Sequence, residues 1–206
     1  MFGIEQEYTF LKNDRPLGWP ANGEDGRPGH RRGPHPGLHG RRPRHRGEFQ
    51  IGVLPAPAVG DHLWLARWLR YRIAENYGVV VSLDAKPVPG DWNGTGAHTN
   101  FSTKAMREGY DAIITGCEAL GKNTLEHIEN YGPGIKERLT GAHETARWDE
   151  FSYGPSDRGA SVRIPWGVEK ARKGWLEDRR PNANMDPYTV TRLIIETCCG
   201  ALAIAV

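Results

Sequence analysis

The tetrapeptide Glu5-Gln6-Glu7-Tyr8 sets two carboxylates two residues apart inside the alternating stretch FGIEQEYTFL. On a β-strand, side chains two apart point to the same face. Two adjacent carboxylates repel unless a cation sits between them. An exposed strand face with two solvated acids explains the spacing as well. Glu48, in GEFQIG, stands among apolar residues at the start of a second strand, where a salt-bridged acid would also fit.

The segment PGDWNGTGAHTNFS carries Gly90, Gly94 and Gly96, followed at once by His98. Glycine lets backbone approach a ligand closely, and a neutral imidazole is a common ligand of divalent metals. A turn with a structural histidine is the plainer reading. RLTGAHETA places Arg138, His143 and Glu144 in a loop of small residues, the kind that can act as a lid or remain an ordinary charged surface loop. DRGASVR and LEDRRP bring Arg158, Arg163 and Arg179, planar donors suited to phosphate and carboxylate, or halves of surface ion pairs. Glu177 and Arg179, two apart, share a strand face. Together, the acids and imidazole would gather metal, the glycines would admit a ligand, and the guanidinium groups would receive anions. That combination suits phosphoryl transfer on a nucleotide, where Mg²⁺ takes a few carboxylates plus phosphate oxygens and the protein positions and neutralises.

These residues need elements to hold them. FGIEQEYTFL, EFQIGVL, VVVSLD, HTNFS, RGASVRIP and KGWLEDRRP read as strands. DHLWLARWLRYRIAENYG reads as a helix capped by Asp61 and ended by Gly78, with Leu65, Trp68, Leu69 and Ile73 as its apolar stripe. Thr103 to Leu120 reads as one amphipathic helix, with a second from Asn123 to Tyr131. Asp186 caps a third, with Pro187 in its first turn. RPLGWP turns the chain. With no regular βαβ repeat, the pattern predicts an α+β fold.

The 206 residues suffice for a real core, and 38% are hydrophobic. One stretch stands apart: the 22 residues from Gly26 to Gly47 comprise seven Arg, four His, four Pro, six Gly and Leu38. Without those seven Arg, 20 Lys and Arg would face 25 Asp and Glu, turning the net charge from +2 to −5. The remainder therefore gives no general reason to expect a polyanion partner. With one apolar residue, the tract cannot bury a core face and is expected to be disordered. Cys117, Cys198 and Cys199 form no CxxC spacing and argue against a disulfide framework or zinc site, which fits a reduced cytoplasmic setting. No run of 18 apolar residues and no signal-peptide pattern is present, and both ends read as cut.

Taken in order, EQEYTFLK…RPLGWP, EFQIG, KPVPGDWNGTGAHTNFSTKAMRE, RLTGAHET, RGASVRIP and LEDRRPNANMDPY closely resemble the eukaryotic-type (type II) glutamine synthetases. The likeness covers nearly everything but residues 21–47 and the last few. It implies residues 1–206 as one incomplete catalytic domain, a curved and mainly antiparallel sheet with flanking helices, without the family's N-terminal small β domain. It implies a reaction: ATP phosphorylates the γ-carboxylate of L-glutamate, and ammonia displaces phosphate to give glutamine. It implies two Mg²⁺ or Mn²⁺ ions. Glu7 and Glu48 would help hold the one nearer glutamate, and Glu5, His98 and Glu177 the one at the ATP phosphates. Asn93, Gly94, Arg138 and Arg179 would contact glutamate. Arg158 and Arg163 would face the transferred phosphate, and Asn100, Phe101 and Ser102 would line the ATP pocket. Glu144 would be the flap residue that takes a proton from ammonium and shields the intermediate from water.

Two departures are visible. The family has a longer, aromatic and acidic stretch where the Arg/His/Gly/Pro tract stands, including a third carboxylate for the first metal. Its sites also form between subunits of a homo-oligomeric ring, using parts this chain lacks. Impaired activity is therefore expected. Other readings are ligation of glutamate to another amine, a guanidino-kinase relationship that HETA and EDRRP argue against, and a nucleic-acid arm at residues 27–46. That arm has no aromatic residue to stack bases. His30, His35, His39 and His45 are too irregularly spaced for a designed metal tract.

Overall fold

Strand β1 (Phe2–Lys12) is the axis of the sheet, and its alternation decides which side is which. Phe2, Ile4 and Tyr8 are buried on one face, while Gly3, Glu5 and Glu7 point to the other. The computed structural model describes residues 1–17, 46–90 and 92–200. β2 (Arg15–Pro16) folds back on the end of β1, and β3 (Arg46–Leu54) pairs with β1 antiparallel along Phe2 to Thr9. The other edge of β1 takes β5 (Ala97–Phe101) along Phe2–Gln6 and β4 (Val80–Ser82) along Thr9–Leu11. Beyond β5 come β8 (Leu176–Asp178), β7 (Val162–Ile164) and β6 (Tyr153–Pro155). Every pairing is antiparallel except β6 with β7.

Helices cover the apolar face. They are α1 (Ala56–Glu75), α2 (Lys104–Glu108), α3 (Asp111–Lys122), α4 (Thr124–Asn130), α5 (Ile135–Arg138), α6 (Trp166–Ala171) and α7 (Pro187–Cys199). Phe2, Ile4, Phe101, Leu63, Ile113, Leu176, Leu193 and Ile194 belong to one buried cluster between sheet and helices. α7 begins as its sequence demands: the Asp186 carboxylate accepts from Thr189 N at 2.8 Å, and Pro187 occupies the first turn. At the start of β3, Gly47 lies under the Tyr8 ring, where a Cβ would come within 2.2 Å of it.

Several expectations are revised. α1 starts at Ala56 behind Pro55, so Asp61 is an interior residue and not the cap. The helix buries Val59, Leu63, Arg67 and Ala74, and the stripe Leu65, Trp68, Leu69 and Ile73 faces outward. The helix has two apolar stripes, and the sheet selects the one with smaller residues plus Arg67. That arginine is satisfied by Gln6 Oε1 (2.7 and 2.9 Å) and the carbonyls of Ala183 (2.9 Å) and Met185 (3.0 Å). Burial pulls its pKa down to about 10. The helix expected over Thr103–Leu120 is two, α2 and α3, broken at Gly109 in extended backbone (φ −154°). β2, β6, α5 and α6 were not anticipated; each is six residues or fewer, too short for a periodicity. The disorder expected of residues 21–47 falls largely outside the described residues, although Arg46 and Gly47 belong to β3.

Candidate active site

Register builds the polar face. Residues directly opposite in an antiparallel pair share a side. Glu7 lies opposite Glu48, and Glu5 opposite both Gln50 and His98. One strand over, Asn100 lies opposite Glu177, and Glu177 opposite Arg163. Three carboxylates from β1 and β3, an imidazole from β5 and a carboxylate from β8 thus meet on one face. They line a cavity of about 340 Å³ together with Asn93, Gly94, Arg138, Glu144, Arg158, Arg163 and Arg179.

Within it, one oxygen or nitrogen each from Glu5, His98 and Glu177 lie within 4.8 Å of one another. His98 Nδ1 is 3.4 Å from Glu177 Oε1 and 3.8 Å from Glu5 Oε2, close enough to share a cation but too long for good hydrogen bonds. Glu177 is fully buried, and its Oε2 meets Arg163 Nε at 2.5 Å without hydrogen-bond alignment, so both atoms lack a directed partner. Its other oxygen accepts from Arg179 Nη1 at 2.8 Å. Glu5 Oε1 accepts from Asn100 Nδ2 at 2.9 Å. The His98 imidazole beside it outweighs burial and, with Asn100 and the Arg163 charge, holds the Glu5 carboxyl at about 2. Ionised oxygens plus one imidazole are a donor set suited to Mg²⁺ or Mn²⁺. Glu7 Oε2 accepts from Gly96 N at 2.7 Å, which fixes the second acid of EQEY.

Two glycines of PGDWNGTGAH also make room for a side chain. A Cβ on Gly94 would come within 2.4 Å of Ala85 O and 2.7 Å of Arg138 Cγ, and on Gly96 within 2.2 Å of Arg138 Nη2. They admit Arg138, which is buried and donates to the carbonyls of Arg180 (2.9 Å) and Arg179 (3.1 Å). Gly90 has open space around it and serves a turn (φ +95°). The HETA loop is closed by a bridge between Thr140 and Arg147. At its tip His143 and Glu144 both take positive φ (55° and 62°), a cost carried by two successive non-glycine residues. Glu144 Oε2 stands 3.7 Å from Arg158 Nη1, and both side chains are largely exposed.

Asn100 and Ser102 line a second cavity of about 770 Å³, which shares Glu5 and Arg163 with the first and is mostly apolar toward Val53, Pro165 and Trp175. Phe101 borders it from the core side, its ring 4.9 Å from that of Phe2. The Ser102 hydroxyl donates to Gly174 O at 2.7 Å.

Sequence reading missed what lies behind β8. Asp178 faces away from Glu177 into the core, where Arg180 grips it through Nε (2.9 Å) and Nη2 (2.7 Å). Tyr131 donates to Asp178 at 2.7 Å, contacts His127 Nδ1, and His127 Nε2 lies 2.8 Å from Thr197 Oγ1 on α7. Period two within EDRR was the available signal: Glu177 and Arg179 serve one face, Asp178 and Arg180 the other. His143 and Thr145 also line the acidic cavity. The three cysteines are free. The nucleic-acid arm and histidine tract proposed for residues 27–46 lie outside the described residues, Arg46 apart.

No family model matches the chain. Among curated proteins it is 59% identical to a glutamine synthetase of Frankia alni, covering 98% of this chain and 65% of that protein. It is 57% identical to one of Streptomyces hygroscopicus, covering 98% of this chain and 68% of the relative. It is 45% identical to the cytosolic isozyme 1 of Glycine max over 95% of this chain. The chain thus spans about two thirds of the length of the curated relatives it matches. A solved structure described as GmaS without ligand shares the fold, with a TM-score of 0.67 at 18% identity over 96% of this chain and 52% of that one. The α+β arrangement and its mainly antiparallel sheet are those expected, and the chain belongs to the glutamine synthetase family, among relatives that include the eukaryotic-type plant enzymes.

Proposed function

We propose that residues 1–206 are one catalytic unit for ATP-dependent ligation of ammonia to the γ-carboxylate of L-glutamate. The observation that carries this reading is the meeting of Glu5, Glu7, Glu48, His98 and Glu177 with four arginines in one cavity, beside a larger apolar one. Glu5, His98 and Glu177 hold one divalent cation, and Glu7 with Glu48 hold a second. Bound there, the cations neutralise phosphate and carboxylate charge. ATP lies in the larger cavity past Asn100, Phe101 and Ser102, with its γ-phosphate toward Arg163 and Arg158. Asn93, Gly94, Arg138 and Arg179 orient glutamate.

A γ-carboxylate oxygen attacks the terminal phosphorus, and the bond to the ADP oxygen breaks. Arg158 and Arg163 take up the charge that develops on the phosphoryl oxygens. Ammonium gives a proton to Glu144, ammonia adds to the acyl carbon, and the carbon–oxygen bond to phosphate breaks as the departing phosphate takes up the second nitrogen proton. The HETA loop keeps water from the acyl phosphate. A cytoplasmic setting fits the cytosolic isozyme among the relatives; among the described residues no helix is long and apolar enough to cross a membrane.

Activity of this chain alone is impaired. Among the described residues the one cluster of three metal-type donors is Glu5, His98 and Glu177, while the other ion has two carboxylates, one oxygen of which is committed to Gly96 N. The test uses glutamate labelled with ¹⁸O in its γ-carboxylate. Turnover should be slow, and the phosphate released with ammonium present should carry one labelled oxygen. Unlabelled phosphate would overturn the ligase reading, and rapid turnover would overturn the impairment.

A further inference from the structure

We infer that Arg67, across the sheet from the acidic cavity, is a positioning residue: through the Gln6 side chain it fixes the stretch of β1 backbone that aims Glu7. The inference rests on the reading of Glu7 as a ligand of the second cation. Arg67 is 2% exposed, and its four hydrogen bonds all go to neutral oxygens: Gln6 Oε1 twice, Ala183 O and Met185 O. Among the described residues no carboxylate forms an ion pair with it. Enclosing a charge without a counter-ion is expensive even when it is hydrogen-bonded. An apolar residue of similar volume would serve the core at least as well. Packing of α1 on the sheet therefore does not account for this arginine.

What Arg67 grips does account for it. On one edge β1 changes neighbours around Glu7: the ladder with β5 ends at Gln6 opposite Ala97, and the one with β4 begins at Thr9 opposite Ser82. In that gap the main chain of Glu7 is held by other means. Its N–H donates to Gly96 O at 2.9 Å, and its C=O accepts from Gln6 Nε2 at 2.7 Å. Gln6 is fully buried, and the same nitrogen also donates to Ala183 O at 3.0 Å. A side-chain amide can turn either its oxygen or its nitrogen toward a neighbour. Arg67 decides which: two of its donors hold Gln6 Oε1, which leaves the nitrogen for Glu7 O and Ala183 O. Ala183 N in turn donates to Thr95 O, next to Gly96, whose N–H meets the Glu7 carboxylate. One clasp thus joins α1, the EQEY strand, the turn at Gly96 and the chain beyond β8. Glu5 needs no such clasp, because it is paired on both edges and held by Asn100.

Calorimetric Mn²⁺ titration and amide hydrogen exchange of the full chain test this. The wild type should bind two ions. Arg67→Met should weaken the second by about 10- to 100-fold, the range expected of groups that orient a ligand, and leave the first unchanged. Gln6→Met should do the same, and the double variant should be no worse than either, because one clasp is lost in all three. Arg67→Lys, keeping one donor for Gln6 Oε1, should weaken the second ion by less and serves if Arg67→Met does not fold. In the metal-free chain the amides of Glu7 and Gly96 should exchange at least about 10-fold faster in Arg67→Met and Gln6→Met, while that of Ile4, paired on both edges, keeps its rate. A second-ion affinity equal to wild type, or a loss shared equally by both ions with faster exchange across the whole sheet, would overturn the positioning role. A wild type that binds one ion, unaffected by Glu7→Gln, would overturn the second cation instead, and the exchange rates of Glu7 and Gly96 would still decide the clasp.

Discussion

Glu177 shows how one side chain is held ready. It is fully buried, faces two guanidinium groups and an imidazole, and keeps one oxygen without a directed hydrogen bond. Asn100 supports its neighbour by donating to Glu5, an orienting contact of the kind that normally matters 10- to 100-fold in metal affinity. Asn100→Ala should therefore weaken Mn²⁺ binding about 10-fold in a calorimetric titration; an unchanged affinity would make Asn100 a nucleotide contact alone. Gly96 is constrained by a different neighbour. Gly96→Ala would drive a methyl into the Arg138 guanidinium and should cost about 2 kcal/mol in urea unfolding, with loss of the two bonds to the β8 exit. Stability equal to wild type would mean Arg138 has other places to go.

At the scale of elements, the short strand β8 is held from behind by the chain Thr197–His127–Tyr131–Asp178–Arg180. Burial lowers the His127 pKa from 6.5 to about 4. The unfolded chain thus binds the extra proton between those values, so this histidine's contribution is complete above pH 6.5 and is lost as pH falls through 4. The loss amounts to about 3 kcal/mol. Denaturant titrations across that window should show the decline, and His127→Gln should flatten it; an undiminished slope in the variant would assign the acid sensitivity elsewhere. Glu5 and Asp178 add to the same limb at lower pH, since both carboxyls are held below their usual range. For Asp178, burial opposes this and the Arg180 charge more than offsets it.

The strands that carry Glu5, Glu48, His98 and Glu177 were legible because alternation survives in a sheet with one polar face. The α1 orientation was not, because its two stripes are equally helical and only the sheet's demand for small residues chooses between them. The buried side of EDRR was hidden for a related reason: period two places four charges on two faces, and nothing local says that one face is interior.

For the whole molecule, the question is whether residues from four distant segments form one metal-binding centre. β1, β3, β5 and β8 bring them together purely through register, from Glu5 at one end of the chain to Glu177 near the other. Helices on the opposite face supply the buried apolar area that keeps this register. Pulsed electron paramagnetic resonance of the full chain loaded with one equivalent of Mn²⁺ tests it most directly. A nitrogen coupling from one imidazole should be present in the wild type, absent in His98→Ala, and accompanied by weakened binding in Glu177→Gln. A spectrum without nitrogen coupling, or one that His98→Ala leaves unchanged, would contradict the account.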